Sequence, residues 1–348
     1  MKQNFQVILC ILLAFFLVLP AGVLAEGRTI TDIAGTTIEI PEEVNRIVTI
    51  DPFTSQFFFI IGADEKLVAT CIGPANRDLV NATEKHLGSL PSAGCKTNIN
   101  IEQLLSLKPD LVISDKTYTQ VNEDITNMGV PVAVVDVELP DNLIRSYEMI
   151  GSIVGKEKET ADFIAYYEEK MAQVRKTTDL IPEDERVSIY FGQRDPLSTL
   201  GDDYYEAQAA AIAGGENVPK GISGGDKKVT IDQVYTWNPD MVILLPYNSM
   251  SVSELLQDPA WESLPAVQEK QVYRMPKYLM SWELPVPETI LGTMWLQSTF
   301  YPDKVKFNLK DEIAAFYKKF YRIDMTSEDV DALLEDEMPV VLNKPSTS

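Results

Sequence analysis

The chain has 348 residues, with 30 Lys and Arg against 52 Asp and Glu and a formal net charge of −22 at pH 7. Such an acidic surface repels nucleic acid and anionic membranes, so the composition argues against binding to either. The length is sufficient for one or two domains with a full hydrophobic core.

The first 25 residues have the pattern of a secretory signal peptide. Lys2 supplies the positive start, residues 7–19 form a short apolar run, and the small residue Ala25 precedes the predicted cleavage before Glu26. The alternative is an uncleaved membrane anchor, although the run is short for a bilayer span. We therefore expect an exported chain, located in the periplasm or on the outer face of the cell membrane.

Two cysteines, Cys71 and Cys95, lie in the predicted mature chain. An exported location favours a disulfide between them, with two buried thiols as the alternative. The disulfide would stabilise the fold by about 3 kcal/mol in the chain-entropy model. A metal site is the weakest interpretation, because the one histidine of the chain is His86 and no third cysteine is close.

Residues 26–139 alternate predicted strands and helices and are assigned to an N-terminal lobe. A strand over 46–50 precedes a helix over 54–61, and "DLVIS" after Pro109 is a short apolar strand of the kind buried in parallel sheets. The strand "VPVAVVD" ends this lobe.

Residues 140–180 predict one long linking helix between two lobes. Leu143, Tyr147, Ile150 and Val154 keep helical spacing, and so does a second apolar set further along. Gly151 and Gly155 predict a bend or a close packing contact near them.

The C-terminal lobe, predicted over 181–334, repeats a piece of the first lobe. "IDQVYTWNPDMVIL" from Ile231 matches "IEQLLSLKPDLVIS" from Ile101, although coincidence between two common αβ units is the alternative. We predict an α/β fold in which two similar parallel-sheet lobes, joined by one long helix, enclose a ligand cleft. Residues 335–348 are expected to form a mobile tail.

Ligands of parallel α/β sheets bind beyond the carboxyl ends of the strands. Residues at the predicted ends are rich in aromatic rings with a few cations, which suits a sizeable organic or chelated ligand, although ordinary packing is the alternative for each tyrosine. The candidate ligand contacts are Thr54, Lys116, Tyr118, Arg194, Tyr204, Tyr205, Tyr247 and Trp282. The candidate partners for an anionic group are Arg77, Lys116, Arg194 and Arg274.

Motifs for catalysis are absent from the sequence. His86 is the one possible imidazole base, and there is neither an HExxH nor a paired CxxC motif. The segment "GISGGDKK" lacks the spacing of a phosphate loop and is interpreted as a flexible loop, and the many carboxylates single out no pair. We predict no catalytic residue, no cofactor and no resident metal. The alternative class is an exported α/β enzyme such as a chelatase.

Several segments in order resemble the substrate-binding proteins of ABC importers for iron complexes and cobalamin. They include "RIVTIDPFTSQFFFIIGADEKLVA", both copies of the repeat, "AGGENV" and "SWELPVPETILGTMWLQSTFYPD", and the resemblance spans about residues 28–334. It implies a monomer that captures a small molecule in a cleft, moves its lobes little, and delivers its ligand to an ABC permease with its ATPase.

The resemblance also implies roles for individual residues. An acidic residue on each lobe would dock to the permease, and Glu123 and Glu254 occupy near-equivalent positions after the repeat, with ordinary surface acids as the alternative. Trp282 becomes the preferred ligand contact. A ferric siderophore-type chelate ranks first as ligand, a corrinoid second, and haem or molybdate last. A surface receptor that hands its ligand to something other than a permease is a third class.

Overall fold

The computed structural model of the chain describes residues 27–71, 90–96 and 98–335. The predicted signal peptide, Arg77, His86 and residues 336–348 lie outside these ranges. The strands are β1 (Gly27–Thr31), β2 (Thr37–Pro41), β3 (Ile47–Thr49), β4 (Leu67–Ala69), β5 (Gly94–Cys95), β6 (Asn98–Ile99), β7 (Leu111–Asp115), β8 (Val132–Val135), β9 (Val187–Gly192), β10 (Ser198–Thr199), β11 (Gly215–Asn217), β12 (Lys227–Lys228), β13 (Met241–Leu244) and β14 (Val272–Arg274). The α-helices are α1 (Ser55–Ile60), α2 (Ile101–Ser106), α3 (Thr119–Asn127), α4 (Pro140–Val154), α5 (Glu157–Thr178), α6 (Tyr205–Ile212), α7 (Ile231–Trp237), α8 (Val252–Gln257), α9 (Pro265–Gln268), α10 (Thr289–Phe300), α11 (Leu309–Phe316) and α12 (Ser327–Leu334).

Two four-stranded parallel sheets form the centres of the two lobes, which confirms the predicted fold class. The N-terminal sheet has the strand order β4-β3-β7-β8, and the C-terminal sheet has the order β11-β9-β13-β14. The repeated segments supply β7 and β13, which occupy the same place in their sheets. The internal repeat therefore corresponds to two lobes of the same topology.

The aspartate of the repeated Pro-Asp pair fastens each repeat strand to its neighbour. Asp110 Oδ2 accepts hydrogen bonds from the backbone N–H groups of Asn45 and Arg46, each at 2.9 Å, just before β3. Asp240 Oδ2 accepts from the backbone N–H of Ser188 at 2.8 Å, at the start of β9. Each carboxylate thus fixes the register of two adjacent parallel strands, which is a structural reason for the repetition.

Helix caps are repeated as well. Asn100 and Thr230 are the N-caps of α2 and α7, and their side chains accept from the backbone N–H of Gln103 and Gln233. Such caps satisfy an otherwise unpaired N–H group and stabilise a helix by about 1 kcal/mol. The recurring glutamines therefore belong to the helix starts rather than to a ligand site.

The linking segment is two helices, α4 and α5, and not the single helix predicted for residues 140–180. Gly155 ends α4 in a left-handed conformation, with φ of 69°, which glycine adopts without steric cost. A Cβ atom on Gly151 would lie 2.1 Å from Thr160 Oγ1, so glycine permits α4 and α5 to pack closely. Gly155 therefore ends the helix, and Gly151 makes the close packing contact that was predicted near these glycines.

The two lobes share one hydrophobic core through these helices. The Phe57 ring of α1 stacks on Tyr147 of α4 with centroids 3.8 Å apart, and Phe59 lies 5.8 Å from Tyr321 near the C-terminus. One cluster of buried apolar residues extends from the N-terminal lobe through α4 and α5 into the C-terminal lobe. Separating the lobes would expose this surface to water, so the fold favours a cleft of fixed width.

Across the described ranges, no helix combines the length and the apolarity that a membrane crossing needs.

Candidate functional site

A cavity of about 490 Å³ lies between the lobes, where segments that follow the sheet strands face each other. The N-terminal wall follows the carboxyl ends of β3, β7 and β8, and the C-terminal wall follows those of β9 and β13 and includes the start of α6. The lining residues are Phe53, Lys96, Asp115, Thr117, Tyr118, Glu138, Gln193, Arg194, Asp203, Tyr204, Tyr205, Glu206, Gly225, Asp226, Leu245, Tyr247, Glu283, Leu284 and Pro285. We call this cavity the interlobe cleft.

Five of the eight candidate ligand contacts are brought together in the interlobe cleft. They are Tyr118, Arg194, Tyr204, Tyr205 and Tyr247. Tyr118 comes from the N-terminal lobe, whereas the other four come from the C-terminal lobe. The rule that ligands bind beyond the strand ends therefore selected five of the nineteen lining residues, and their contact with a ligand stays a prediction.

Trp282 and Thr54 do not line the cleft. The Trp282 side chain is fully buried, and its Nε1–H donates to the Tyr317 hydroxyl at 3.0 Å. Thr54 is also fully buried, and its hydroxyl donates to Asp51 in the turn after β3. Both positions follow a strand end as expected, but their side chains point into the protein, where they support the cleft wall.

The candidate cations are mostly engaged elsewhere. Lys116 Nζ lies 2.5 Å from Asp136 Oδ2, and Lys116 is not among the lining residues. Arg274 donates to backbone carbonyl groups, including that of Met250 at 2.6 Å, which gives it a structural role. Arg194 does line the cleft, but its Nε is paired with Asp226 Oδ2 at 3.1 Å.

Acidic side chains dominate the cleft, which sequence reasoning missed. Six lining residues carry carboxyl groups and two, Lys96 and Arg194, carry positive charge. The carboxyl groups belong to Asp115, Glu138, Asp203, Glu206, Asp226 and Glu283. The cleft lining is therefore acidic, like the chain as a whole. It does not form the local cluster of cations that an anionic ligand would need.

Glu206 and Glu283 are the buried members of this acidic set. They are 7% and 3% exposed, and Glu283 Oε2 has no hydrogen-bond partner within the described part of the chain. Burial, with smaller contributions from the neighbouring carboxylates Glu138 and Asp226, raises the pKa of Glu206 to about 8. Burial also raises the pKa of Glu283 well above its ordinary value. Glu206 is therefore largely protonated near pH 7 without a ligand.

The tyrosines of the cleft provide neutral aromatic surface. Burial raises the pKa of Tyr205 to about 12 and also raises the pKa of Tyr118 and of Tyr204. Their hydroxyl groups thus remain protonated and can donate or accept hydrogen bonds. Tyr247 is 56% exposed, and Lys277 Nζ lies 4.9 Å from the centre of its ring.

The segment "GISGGDKK" contributes Gly225 and Asp226 to the cleft wall, and its predicted flexibility stays a prediction. Asp203 accepts hydrogen bonds from Ser223 Oγ at 2.5 Å and from the Gly224 N–H at 2.9 Å. A Cβ atom on Gly225 would lie 2.7 Å from the Tyr204 ring. The glycines therefore let the backbone pack directly against a tyrosine that faces the ligand space.

The other predicted positions lie outside the cleft wall. Cys71 and Cys95 are bonded as a disulfide, with Cα atoms 4.5 Å apart, and Lys96 of the cleft follows directly. Glu123 is exposed on α3 and Glu254 is exposed on α8, the helices that follow β7 and β13. These two acids are thus in equivalent places on the two lobes.

The cleft has the properties of a binding site for a small molecule. Its volume lies within the range of about 300–1,000 Å³ that is common for such sites. Among the described residues, no group of three or more His, Cys, Asp or Glu side chains is arranged to hold a metal ion directly.

Weak indications of the missed residues are present in the sequence. Glu206 directly follows Tyr204 and Tyr205, and Glu283 directly follows Trp282, so both are adjacent to positions that the strand-end rule selected. Their burial could not be read from the sequence, because a glutamate is usually exposed.

Comparison with known proteins agrees with this architecture. The chain is 26% identical over 349 residues to the molybdate-binding protein MolA of Haemophilus influenzae, covering 92% of this chain and 97% of that one. It is 26% identical over 199 residues to the Fe(3+) dicitrate-binding periplasmic protein FecB of Escherichia coli, covering 54% and 62%. The crystal structure of a periplasmic solute binding protein from Veillonella parvula superposes with a TM-score of 0.78 at 24% identity, covering 90% and 98%.

The family model described as periplasmic binding protein matches residues 47–279, from the first strand of the N-terminal sheet to just beyond the last strand of the C-terminal sheet. The matched region contains both sheets, both linking helices and most of the interlobe cleft. The chain belongs to the periplasmic binding protein family, whose members serve as substrate-binding proteins of ABC importers.

Proposed function

We propose that this protein captures a metal chelate of the ferric siderophore type in the interlobe cleft and delivers it to an ABC permease with its ATPase. The observation that carries the proposal is the cleft itself, about 490 Å³ between two lobes of fixed separation, lined by aromatic rings and carboxyl groups. Aromatic rings bury the organic shell of a chelate, whereas polar groups orient it. A corrinoid is the second choice, because the aromatic rings of the cleft would also suit its large ring system.

The protein works outside the cytoplasm as a monomer that binds one ligand per chain. Catalysis is not part of the proposal. Glu123 and Glu254 are the proposed permease contacts, since they are exposed at equivalent places on the two lobes. An exported enzyme such as a chelatase would instead turn its ligand over.

Molybdate is the other candidate ligand, because the relative that matches nearly the whole chain is named as a molybdate-binding protein. Arg194 and Lys96 are the cleft cations that could attract it. The excess of carboxyl groups argues against this choice, since an oxyanion among them gains little from two exposed cations.

Intrinsic fluorescence of the mature protein, titrated with ferric siderophores, cobalamin, haem and molybdate, tests the proposal. We expect saturable quenching at submicromolar concentration by a ferric chelate, with one ligand per chain. Tyr247→Ala removes an exposed ring of the cleft and should weaken binding at least tenfold. Tyr235→Ala, whose hydroxyl donates to the Ala260 carbonyl outside the cleft, is the matched control. Failure of every compound to bind would overturn the proposed function.

A further inference from the structure

Two buried carboxyl groups, Glu206 and Glu283, lie on the C-terminal wall of the cleft. Glu206 begins the first turn of α6, and Glu283 follows the buried Trp282. The groups that act electrostatically on Glu206 are the carboxylates Glu138 and Asp226, whereas Glu283 has Glu206 and, as a favourable partner, Lys277. Burying acids in this way is unfavourable for folding, so a gain at the ligand site would explain their presence.

We propose that Glu206 and Glu283 together select a positively charged chelate and discriminate against oxyanions. This inference rests on the proposed function and adds the charge class of the ligand. Glu283 lines the cleft, and its buried Oε2 has no hydrogen-bond partner among the described residues. A ligand group that reaches this oxygen would supply the donor or cation that it lacks. The low polarity around both groups strengthens any ion pair they form.

Binding of a cationic ligand should change the protonation of Glu206 and Glu283. Burial favours the protonated form of both acids, and a cation placed beside them favours the ionised forms. Binding therefore releases protons, and the dissociation constant should rise about tenfold for each unit that the pH falls below 8, for one proton released. The other charged and titratable groups facing the pair are Asp115, Glu138, Asp203, Asp226, Lys96 and Arg194.

The affinity for an oxyanion would depend on pH in the opposite direction. A protonated carboxyl group can donate a hydrogen bond to an anion, so tight binding of molybdate would take up protons and weaken as the pH rises. A glutamine would replace such a donor, whereas it cannot replace a carboxylate that pairs with a cation. The direction of proton transfer and the effect of Glu→Gln thus separate the two ligand classes.

A series of ferric trihydroxamates that differ in one pendant group tests the inference. The probes are ferrioxamine B, which carries a protonated amine, its neutral N-acetyl derivative and its anionic N-succinyl derivative, together with molybdate. Isothermal titration calorimetry at pH 7.5 in two buffers of different ionisation enthalpy measures affinity and proton release together. The chains compared are the mature protein, Glu206→Gln, Glu283→Gln, the double variant, and Glu262→Gln as an exposed control.

We expect the cationic probe to bind at least tenfold more tightly than the neutral one, with proton release, and the anionic probe to bind most weakly. The preference for the cationic probe over the neutral probe should disappear in the double variant and persist in Glu262→Gln. Equal binding of the charge series, tighter binding of the anionic probe or molybdate, or a preference that survives in the double variant would each overturn the inference while leaving the proposed function intact. If neither the trihydroxamate series nor the wider ligand panel binds, both the inference and the proposed function are refuted.

Discussion

Replacing Glu206 by glutamine should make the protein more stable at alkaline pH. The rise of its pKa from 4.5 to about 8 means that the folded protein holds a proton which the unfolded chain releases. The contribution of this group to stability is therefore fully present below pH 4.5 and is lost as the pH rises to about 8. Glutamine is nearly the same size as glutamate and has no such titration.

The size of the effect follows from the same pKa change. Each pKa unit corresponds to about 1.4 kcal/mol, so the full rise corresponds to a free energy on the order of 5 kcal/mol. This is a large share of the roughly 5–15 kcal/mol that stabilises a typical domain. Between pH 5 and pH 8 we therefore expect the free energy of unfolding of Glu206→Gln to gain about 1.4 kcal/mol per pH unit on the unmodified protein.

Urea unfolding followed by tryptophan fluorescence at half-unit pH steps measures this difference. Asp51 and Glu288, whose pKa values burial raises to about 6 and about 7, titrate in both proteins and cancel in the comparison. The exposed Glu262→Gln variant should follow the unmodified protein at every pH. A constant difference between Glu206→Gln and the unmodified protein across this range would refute the assigned environment of Glu206 and, with it, the acidic cleft.

Three further substitutions test other parts of the structure. Trp282→Ala should lower the free energy of unfolding by about 3–5 kcal/mol, because it empties a buried aromatic position, whereas the affinity of the folded fraction for ligand should change little; a selective loss of affinity in stable protein would return Trp282 to the cleft. Replacing Cys71 and Cys95 together by serine should cost about 3 kcal/mol in urea unfolding through loss of the cross-link, and unchanged stability would contradict this. Glu123→Gln with Glu254→Gln should preserve ligand affinity and strongly reduce uptake in cells. Glutamine is chosen because Glu254 completes the capping box of α8, which glutamine retains, and reduced affinity would instead place these residues at the ligand.

The sheets were predictable because buried parallel strands and helix caps have local patterns. The copies of the repeat predicted equivalent lobes, and Asp110 and Asp240 show why the pattern recurs, since each makes the same hydrogen bonds at a strand start. The break between α4 and α5 was harder to predict. Gly155 is compatible with a bend as well as with a complete end, and its left-handed conformation, with φ of 69°, ends α4.

The position of the cleft was predictable from the sequence, but the acidic lining and the direction of each side chain were not. Strand-end reasoning selected Tyr118, Tyr204 and Tyr247 because the carboxyl ends of parallel strands gather at one edge. It could not show that Trp282 points inward while the next residue, Glu283, lines the cleft. Side-chain direction in an irregular segment depends on the tertiary fold, and a single carboxylate is not distinguishable from the others in so acidic a sequence.

The most direct test of the account is an anomalous diffraction measurement at the iron edge, on crystals of the mature protein grown with the ferric chelate that binds most tightly. We expect one iron peak per chain inside the interlobe cleft, between Tyr118 on one wall and Glu206 and Glu283 on the other, with the chelator supplying the metal ligands. An iron peak on the outer surface, or a chelate bound in the cleft with its positive group directed away from Glu206 and Glu283, would contradict the account.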